Sequence, residues 1–435
     1  MSELPLIALF VLSLFFLLGS GVWVGASLLA CAFIGMELFT GRPTGDSMAI
    51  TIWGTQSSWT LTALPMFIWM GEILFRSRLS EILFRGLTPW LQYLPGGLLH
   101  VNIAGCAIFA AISGSSAATV ATVGKMSIPE LRRRGYPERM TVGTLAGAGT
   151  LGLLIPPSIA LIIYGVTVNE SISRLFIAGI LPGIALALLF MTYVVVWDLV
   201  AGKTKVDRQR FSVRERLAAL FDLLPVLGLI LGVILSIYSG FATATEAAVL
   251  GVIGSLALSA IQRSLTWESF RESLLGAVRT SAMIAFILMG SSFLSLAMGF
   301  TGIPRALAEG IGGLQLGPLE LIALLTVFYI LLGCFLDGIS SIVLTMAVIE
   351  PLIRQAGFDM LWFGIYLMLV VEMAQITPPI GFNLFVLQGM TGHDMGFIAR
   401  ASVPMFLIMV FAVVLLVWFP EAATYLPSIM SRGSG

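Results

Sequence analysis

Residues 149–158 read GTLGLLIPPS and residues 372–383 read EMAQITPPIGFN. Each stretch places two consecutive prolines inside a long apolar run. Proline has no amide hydrogen and its ring crowds the preceding turn, so a helix must be interrupted at Pro156–Pro157 and again at Pro378–Pro379. Backbone carbonyls are set free there. Non-helical backbone at membrane depth is tolerated only when buried in protein or lining a wet cavity. Both stretches therefore point to a site within an all-α membrane protein.

The composition agrees. Of 435 residues, 58% are hydrophobic and 11% charged, whereas an ordinary soluble domain is about 25% charged. Mean hydropathy is +1.01. Runs long enough to cross a roughly 30 Å hydrocarbon layer recur along the whole chain. Breaks between them predict about ten transmembrane helices, near 4–18, 22–39, 58–75, 141–167, 174–199, 222–239, 244–262, 279–300, 361–389 and 400–420. No basic segment precedes the first run and no small-residue cleavage site closely follows it, so 4–18 reads as a retained span.

Lys and Arg in the short loops set the orientation. Lys203, Lys205, Arg208, Arg210, Arg214 and Arg216 form one basic segment, and Arg132, Arg133, Arg134 and Arg139 another. Two spans separate them, so both are expected in the cytoplasm. Both termini then lie outside, with the tryptophan-bearing loop 40–59. Trp53 and Trp59 suit an interfacial belt.

Compared with itself at an offset of 222 residues, the chain aligns Pro129 with Pro351, Gly135 with Gly357, Pro156 with Pro378, Pro157 with Pro379 and Pro182 with Pro404. Chance rarely matches so many helix breakers without a gap, and a duplication is the better reading. The arginine-rich stretch 132–139 of the first copy corresponds to 354–361 of the second, which keeps only Arg354. One copy looks inward and the other outward, an inverted-topology repeat of the kind found in secondary transporters.

Two apolar stretches, 96–128 and 318–350, carry polar and small residues at their middle. These are Ser113, Gly114, Ser115, Ser116 and Thr119 in one, and Asp337, Gly338, Ser340 and Ser341 in the other. A full span over 96–134 would put Arg132–Arg134 outside. Two re-entrant hairpins are therefore predicted. Freed carbonyls and nearby hydroxyls are oxygen ligands suited to a hard cation, and the helix N-termini past each break suit a substrate carboxylate. Candidate substrate ligands are Ser113, Ser116, Ser158, Ser340, Ser341 and Asn383. Asp337 is the sharpest cation ligand, because a carboxylate in the bilayer costs roughly 2.5–3.5 kcal/mol and marks a pathway. Glu372 either serves likewise or pairs internally; Glu246, nearer a span end, reads as interfacial.

Several classes are disfavoured. Zero net charge suggests no nucleic acid, and Cys31, Cys106 and Cys334 lack metal or disulfide spacing and read as packing residues. His100 and His393 have no partner at triad spacing, and no Walker A sequence is present. A membrane-embedded enzyme is opposed by the lack of clustered His, Cys or acidic ligands beside a nucleophile.

The stretches ISGSSAATVAT (112–122), GTLGLLIPPSIALIIYGV (149–166), IAGILPG (177–183) and MAQITPPIGFNLFVLQGM (373–390) resemble the large membrane (M) subunit of TRAP transporters, the tripartite ATP-independent periplasmic systems of bacteria and archaea. The resemblance runs from about 4 to 427. It implies an elevator-type sodium symporter in the inner membrane, taking its substrate from a soluble periplasmic binding protein (P) and working with a small four-helix membrane subunit (Q). It also implies a first sodium site at Ser115, Thr119, Gly152, Ile155 and Pro157, with Thr119 where a carboxamide is expected. A second falls on Asp337, Gly338, Thr377 and Ile380. Family substrates are mostly organic acids, including sialic acid and C4-dicarboxylates. On this plan 1–57 and 201–278 contribute scaffold, and 58–200 and 279–427 are the two transport repeats. A stand-alone sodium-coupled dicarboxylate or citrate carrier is the alternative.

Overall fold

The computed structural model describes residues 12–201, 211–301 and 317–432, except 14, 15, 18 and 380. Most of the expected span 4–18, the residues Lys203, Lys205, Arg208 and Arg210, the candidate ligand Ile380 and both chain ends lie outside the described residues. Among the described residues every regular element is helical.

The first two helices with described bounds are α1 (Val24–Phe39) and α2 (Thr44–Gln56). Next come α3 (Ala63–Phe75), α4 (Leu79–Leu91), α5 (Leu99–Ser113), α6 (Ser116–Arg133), α7 (Glu138–Gly149), α8 (Ile159–Val168) and α9 (Ile172–Ala201). The middle holds α10 (Val213–Tyr238), α11 (Ala244–Ile261) and α12 (Trp267–Thr301). The remainder is α13 (Pro318–Gly333), α14 (Gly338–Gln355), α15 (Met360–Gln375), α16 (Phe382–Thr391), α17 (Met395–Trp418) and α18 (Glu421–Arg432).

Six of these are long and apolar enough to cross a membrane, or seven if α2 and α3, bent by 56°, form one span with the turn between them. The chain is thus a multi-pass membrane protein. The expected runs 141–167 and 361–389 are not single helices. Each is a pair of short helices, α7 with α8 and α15 with α16, parted at the double proline where two amide donors are missing.

Departures from the expected spans have local causes. The expected loop 40–59 contains α2, whose sequence TGDSMAITIWGTQ is too polar to read as a span. Asp46 in its first turn complements the helix dipole, and Gln56 Nε2 donates to the Ala285 carbonyl of α12 at 3.1 Å. α4 was not expected as a helix either; Arg85 pairs with Asp222 of α10 at 3.0 Å. α12 starts at Trp267, so one helix runs through the expected boundary at 278/279.

α1 lies along α12 at a distance only small residues allow. A Cβ on Gly290 would sit 2.6 Å from the Gly25 carbonyl oxygen, the close backbone approach typical of membrane helix pairs. The apolar core is continuous from this pair through both halves.

The halves resemble each other in detail. α6 and α14 begin and end 222 residues apart, and α7 and α15 begin at the same offset. Gly135 and Gly357 both adopt positive φ, 75° and 80°, and the Pro156–Pro157 and Pro378–Pro379 bonds are both cis. α8 of the first half packs on α14 of the second, and α16 of the second packs on α6 of the first. Arg354 Nη2 donates to the Val168 carbonyl at 2.9 Å, and the Met390 methyl abuts Gly124.

Candidate functional site

The two hairpin turns are short because of their residues. Gly114 closes α5 with φ 56°, a left-handed conformation glycine adopts without penalty. Ser115 then caps α6, its hydroxyl accepting from Ala118 N. In the second hairpin Asp337 caps α14: Oδ2 accepts from Ile339 N at 3.1 Å and Ser340 N at 3.2 Å. Satisfying these end donors lets each helix start abruptly inside the protein.

The first turn presses on the first broken helix. A Cβ on Gly152 would lie 2.5 Å from Ser116 N, and one on Gly114 would lie 3.2 Å from the Pro157 carbonyl oxygen. Ser113 Oγ and Thr119 Oγ1 are 2.9 Å apart, and Thr119 Oγ1 donates to the Ser115 carbonyl at 2.8 Å. Ser115, Thr119, Gly152 and Pro157 are therefore neighbours, though the Ile155 side chain turns toward Gly183 of α9. Ser158 is spent within its own break, donating to the freed Leu153 carbonyl at 2.6 Å and capping α8.

The second turn meets both breaks. A Cβ on Gly338 would touch Leu153 Cδ1 and Val371 Cγ1, at 2.8 and 3.0 Å. Cys334 Sγ reaches the Pro378 carbonyl at 3.4 Å, while the Thr377 hydroxyl donates to Met373 O at 2.7 Å. Ser341 and Asn383 are fully buried, and their side-chain polar atoms have no hydrogen-bond partner among the described residues. Asn383 Nδ2 faces Gly149 of the first half.

A cavity of about 970 Å³ opens between the turns. Ser115, Ser116, Asp337, Gly338 and Ser340 line it, with Leu153 and Gln375 from the breaks. α1 and α12 face them through Gly25, Arg279, Met283 and Phe286. Of the expected substrate ligands, Ser116 and Ser340 reach this cavity; Ser113, Ser158, Ser341 and Asn383 lie behind its wall. Among the described residues no group of three His, Cys, Asp or Glu side chains comes together. An ion at the first turn would meet hydroxyl and carbonyl oxygens, the donor set of a hard monovalent cation.

Two contributions were not anticipated. Arg279 looked like the end of a span, and Gln375 sits unremarked in the quoted proline motif. Glu372, left open between ligand and internal partner, is fully buried and joins the halves: Oε1 accepts from Ser116 Oγ and, at 2.9 Å, from Leu153 N. Glu246 is exposed in a capping box with Thr243, and His393 Nε2 lies 3.3 Å from Glu138.

Residues 11–422 match the family model described as tripartite ATP-independent periplasmic transporter, DctM component. The chain is 31% identical over 383 residues to the C4-dicarboxylate TRAP transporter large permease protein DctM of Pseudomonas aeruginosa, covering 88% of this chain and 89% of that one. It is 30% identical over 418 residues to the isethionate TRAP transporter permease protein DctMQ of Oleidesulfovibrio alaskensis, covering 96% of this chain and 64% of that one. The fold is similar to the crystal structure of the Alcanivorax borkumensis YdaH transporter, with TM-score 0.64 and 12% identity over 94% of this chain and 97% of that one.

Proposed function

Because this chain belongs to the DctM family of tripartite ATP-independent periplasmic transporters, a transport permease and not an enzyme, we propose that it carries out sodium-coupled uptake of a small organic acid by an elevator mechanism. The observation that carries this reading is the cavity in which both hairpin turns and both broken helices converge against α1 and α12. The hairpins and broken helices of the repeats 58–200 and 279–427 form the moving body, and 1–57 with 201–278 the scaffold, to which the remainder of α12, continuous across 278/279, also belongs. The inverted repeat is supported by the 222-residue offset, which recurs in helix bounds, glycine conformations and proline breaks.

Sodium binds first at Ser115, Thr119, Gly152, Ile155 and Pro157, and a second ion at Asp337, Gly338, Thr377 and Ile380. The fit at the first site rests on Gly152, whose missing side chain lets the break approach the hairpin backbone. Bound sodium neutralises oxygen dipoles that repel one another when gathered. Substrate joins between the turns, at Ser116 and Ser340, where Arg279 supplies positive charge for a carboxylate of the sialic acid or dicarboxylate type. The body then moves past the scaffold and the site opens to the other side.

A periplasmic binding protein delivers the substrate, and a small four-helix membrane subunit completes the complex in the inner membrane of a bacterium or archaeon. The basic loops face the cytoplasm and both termini the periplasm. The test is uptake into proteoliposomes containing this chain and candidate partners, with the sodium gradient and the binding protein varied separately. Uptake that needs both supports the reading. Sodium-independent uptake overturns the coupling, and uptake without the binding protein identifies a stand-alone symporter.

A further inference from the structure

Glu372 belongs to α15 in the second half, yet the hydrogen bonds of its carboxylate go to the first half. Its Oε1 accepts from Ser116 at the first hairpin turn and from Leu153 N in the first break. Its Oε2 has no hydrogen-bond partner among the described residues, and the side chain is fully buried. Among the described residues no lysine, arginine or histidine pairs with it.

A buried carboxylate without a countercharge is strongly disfavoured, and a monovalent cation in a cage of neutral oxygens is stabilised further by a negative charge close to it. The first candidate sodium site is such a cage: the Ser115 and Thr119 hydroxyls with backbone carbonyls around Gly152. Glu372 hydrogen-bonds to Ser116 and Leu153, the residues next to Ser115 and Gly152. The missing negative charge and the missing positive charge are therefore adjacent.

We propose that Glu372 is the charge-balancing and positioning residue of the first sodium site, contributed by the opposite half of the chain. It holds the hairpin turn against the break through Oε1, and its charge offsets that of the ion. Binding of sodium in the first half thereby strengthens the junction between halves, since the ion and Glu372 stabilise each other across it. This inference rests on the sodium reading above and adds a residue that the proline and hairpin motifs do not supply.

The test uses purified full-length protein in lipid nanodiscs and measures the rise in melting temperature with sodium, against choline at equal ionic strength. This readout needs neither substrate nor partner subunits. Glu372→Gln keeps an acceptor for Ser116 and Leu153 and removes only the charge. The wild type is stabilised by sodium, and Glu372→Gln requires on the order of tenfold more sodium for the same shift. Glu372→Asp, which keeps the charge, stays closer to the wild type than Glu372→Gln does. If wild type and Glu372→Gln respond alike, the charge-balancing role is wrong while the sodium reading stands. If the wild type does not respond to sodium, both fall. Should Glu372→Gln not yield folded protein, Glu372→Asp decides: a retained sodium response supports the proposal and a lost one overturns it.

Discussion

Replacing Gly152 by alanine probes the junction on which the first hairpin turn and the first broken helix both depend. The added methyl would sit 2.5 Å from Ser116 N and 2.6 Å from the Ser115 carbonyl carbon. Both are backbone atoms, so no side-chain rotation relieves the contact. Ordinary contact begins at 3.4 Å, and the turn must retreat from the break by about 0.9 Å to restore it. Overpacking of this kind costs about 1–3 kcal/mol of stability. Transport suffers more, because the displaced atoms are the proposed ion ligands and a shift of about 1 Å in a preorganised site costs roughly a hundredfold. Gly152→Ala should therefore raise the half-saturating sodium concentration for proteoliposome uptake by about tenfold or more. Gly228→Ala in α10 is the control, since no atom lies within 4 Å of its added methyl. A Gly152→Ala protein with wild-type sodium dependence and unchanged melting temperature refutes the close approach.

Asp337→Asn keeps an oxygen for the Ile339 and Ser340 amides, so stability should change by less than about 1 kcal/mol. Its sodium dependence should weaken by about tenfold, whereas Glu246→Gln in the exposed capping box should leave uptake unchanged; equal effects would remove the reason for ranking them. In a background lacking Cys31, Cys106 and Cys334, all buried, Ser340→Cys should react with a hydrophilic maleimide and be protected by substrate. Ser158→Cys should stay unlabelled, and equal labelling would contradict the cavity wall. The Arg132 hydrogen bond holds the Glu138 carboxyl below its ordinary value of 4.5, with partial burial opposing it. A depressed carboxyl stabilises the fold above its unfolded value and loses that contribution as pH falls through the lower native one. Melting temperatures of the wild type and Glu138→Gln should thus differ near neutrality and converge below pH 4.5; a constant gap would rule this out.

The features that could be read from sequence are those set by covalent chemistry. Two prolines in a row interrupt a helix wherever they stand, so the breaks at 156–157 and 378–379 were visible before any packing was known. Gly114 with Ser115, and Asp337, are turn and cap residues for local reasons, and both turns lie where those residues predict. Long-range packing left no such mark. α2 and α4 are too polar or too amphipathic to register as spans, and their helicity depends on α10 and α12. Arg279 reads as the end of a span because charges usually end spans; a wet cavity lets a helix run through one. Glu372 was ambiguous for the same reason: its partners, Ser116 and Leu153, are more than 200 residues away, and nothing in its own neighbourhood names them.

The exchange of short helices between halves has a consequence for how the protein is made. α8 finishes its packing only against α14 and α15, and the first residue of α14 is synthesised roughly 180 residues after the first of α8. At about 5–20 residues per second, that leaves α8 without its partner for on the order of ten to thirty-six seconds. Through that interval the nascent first half must be sheltered by the insertion machinery or by lipid. A ribosome stalled between the two halves would leave a fragment whose interrupted helix rests on α3 and α9 but lacks its second-half partners, and quality-control proteases should clear it faster than a truncation made after residue 391.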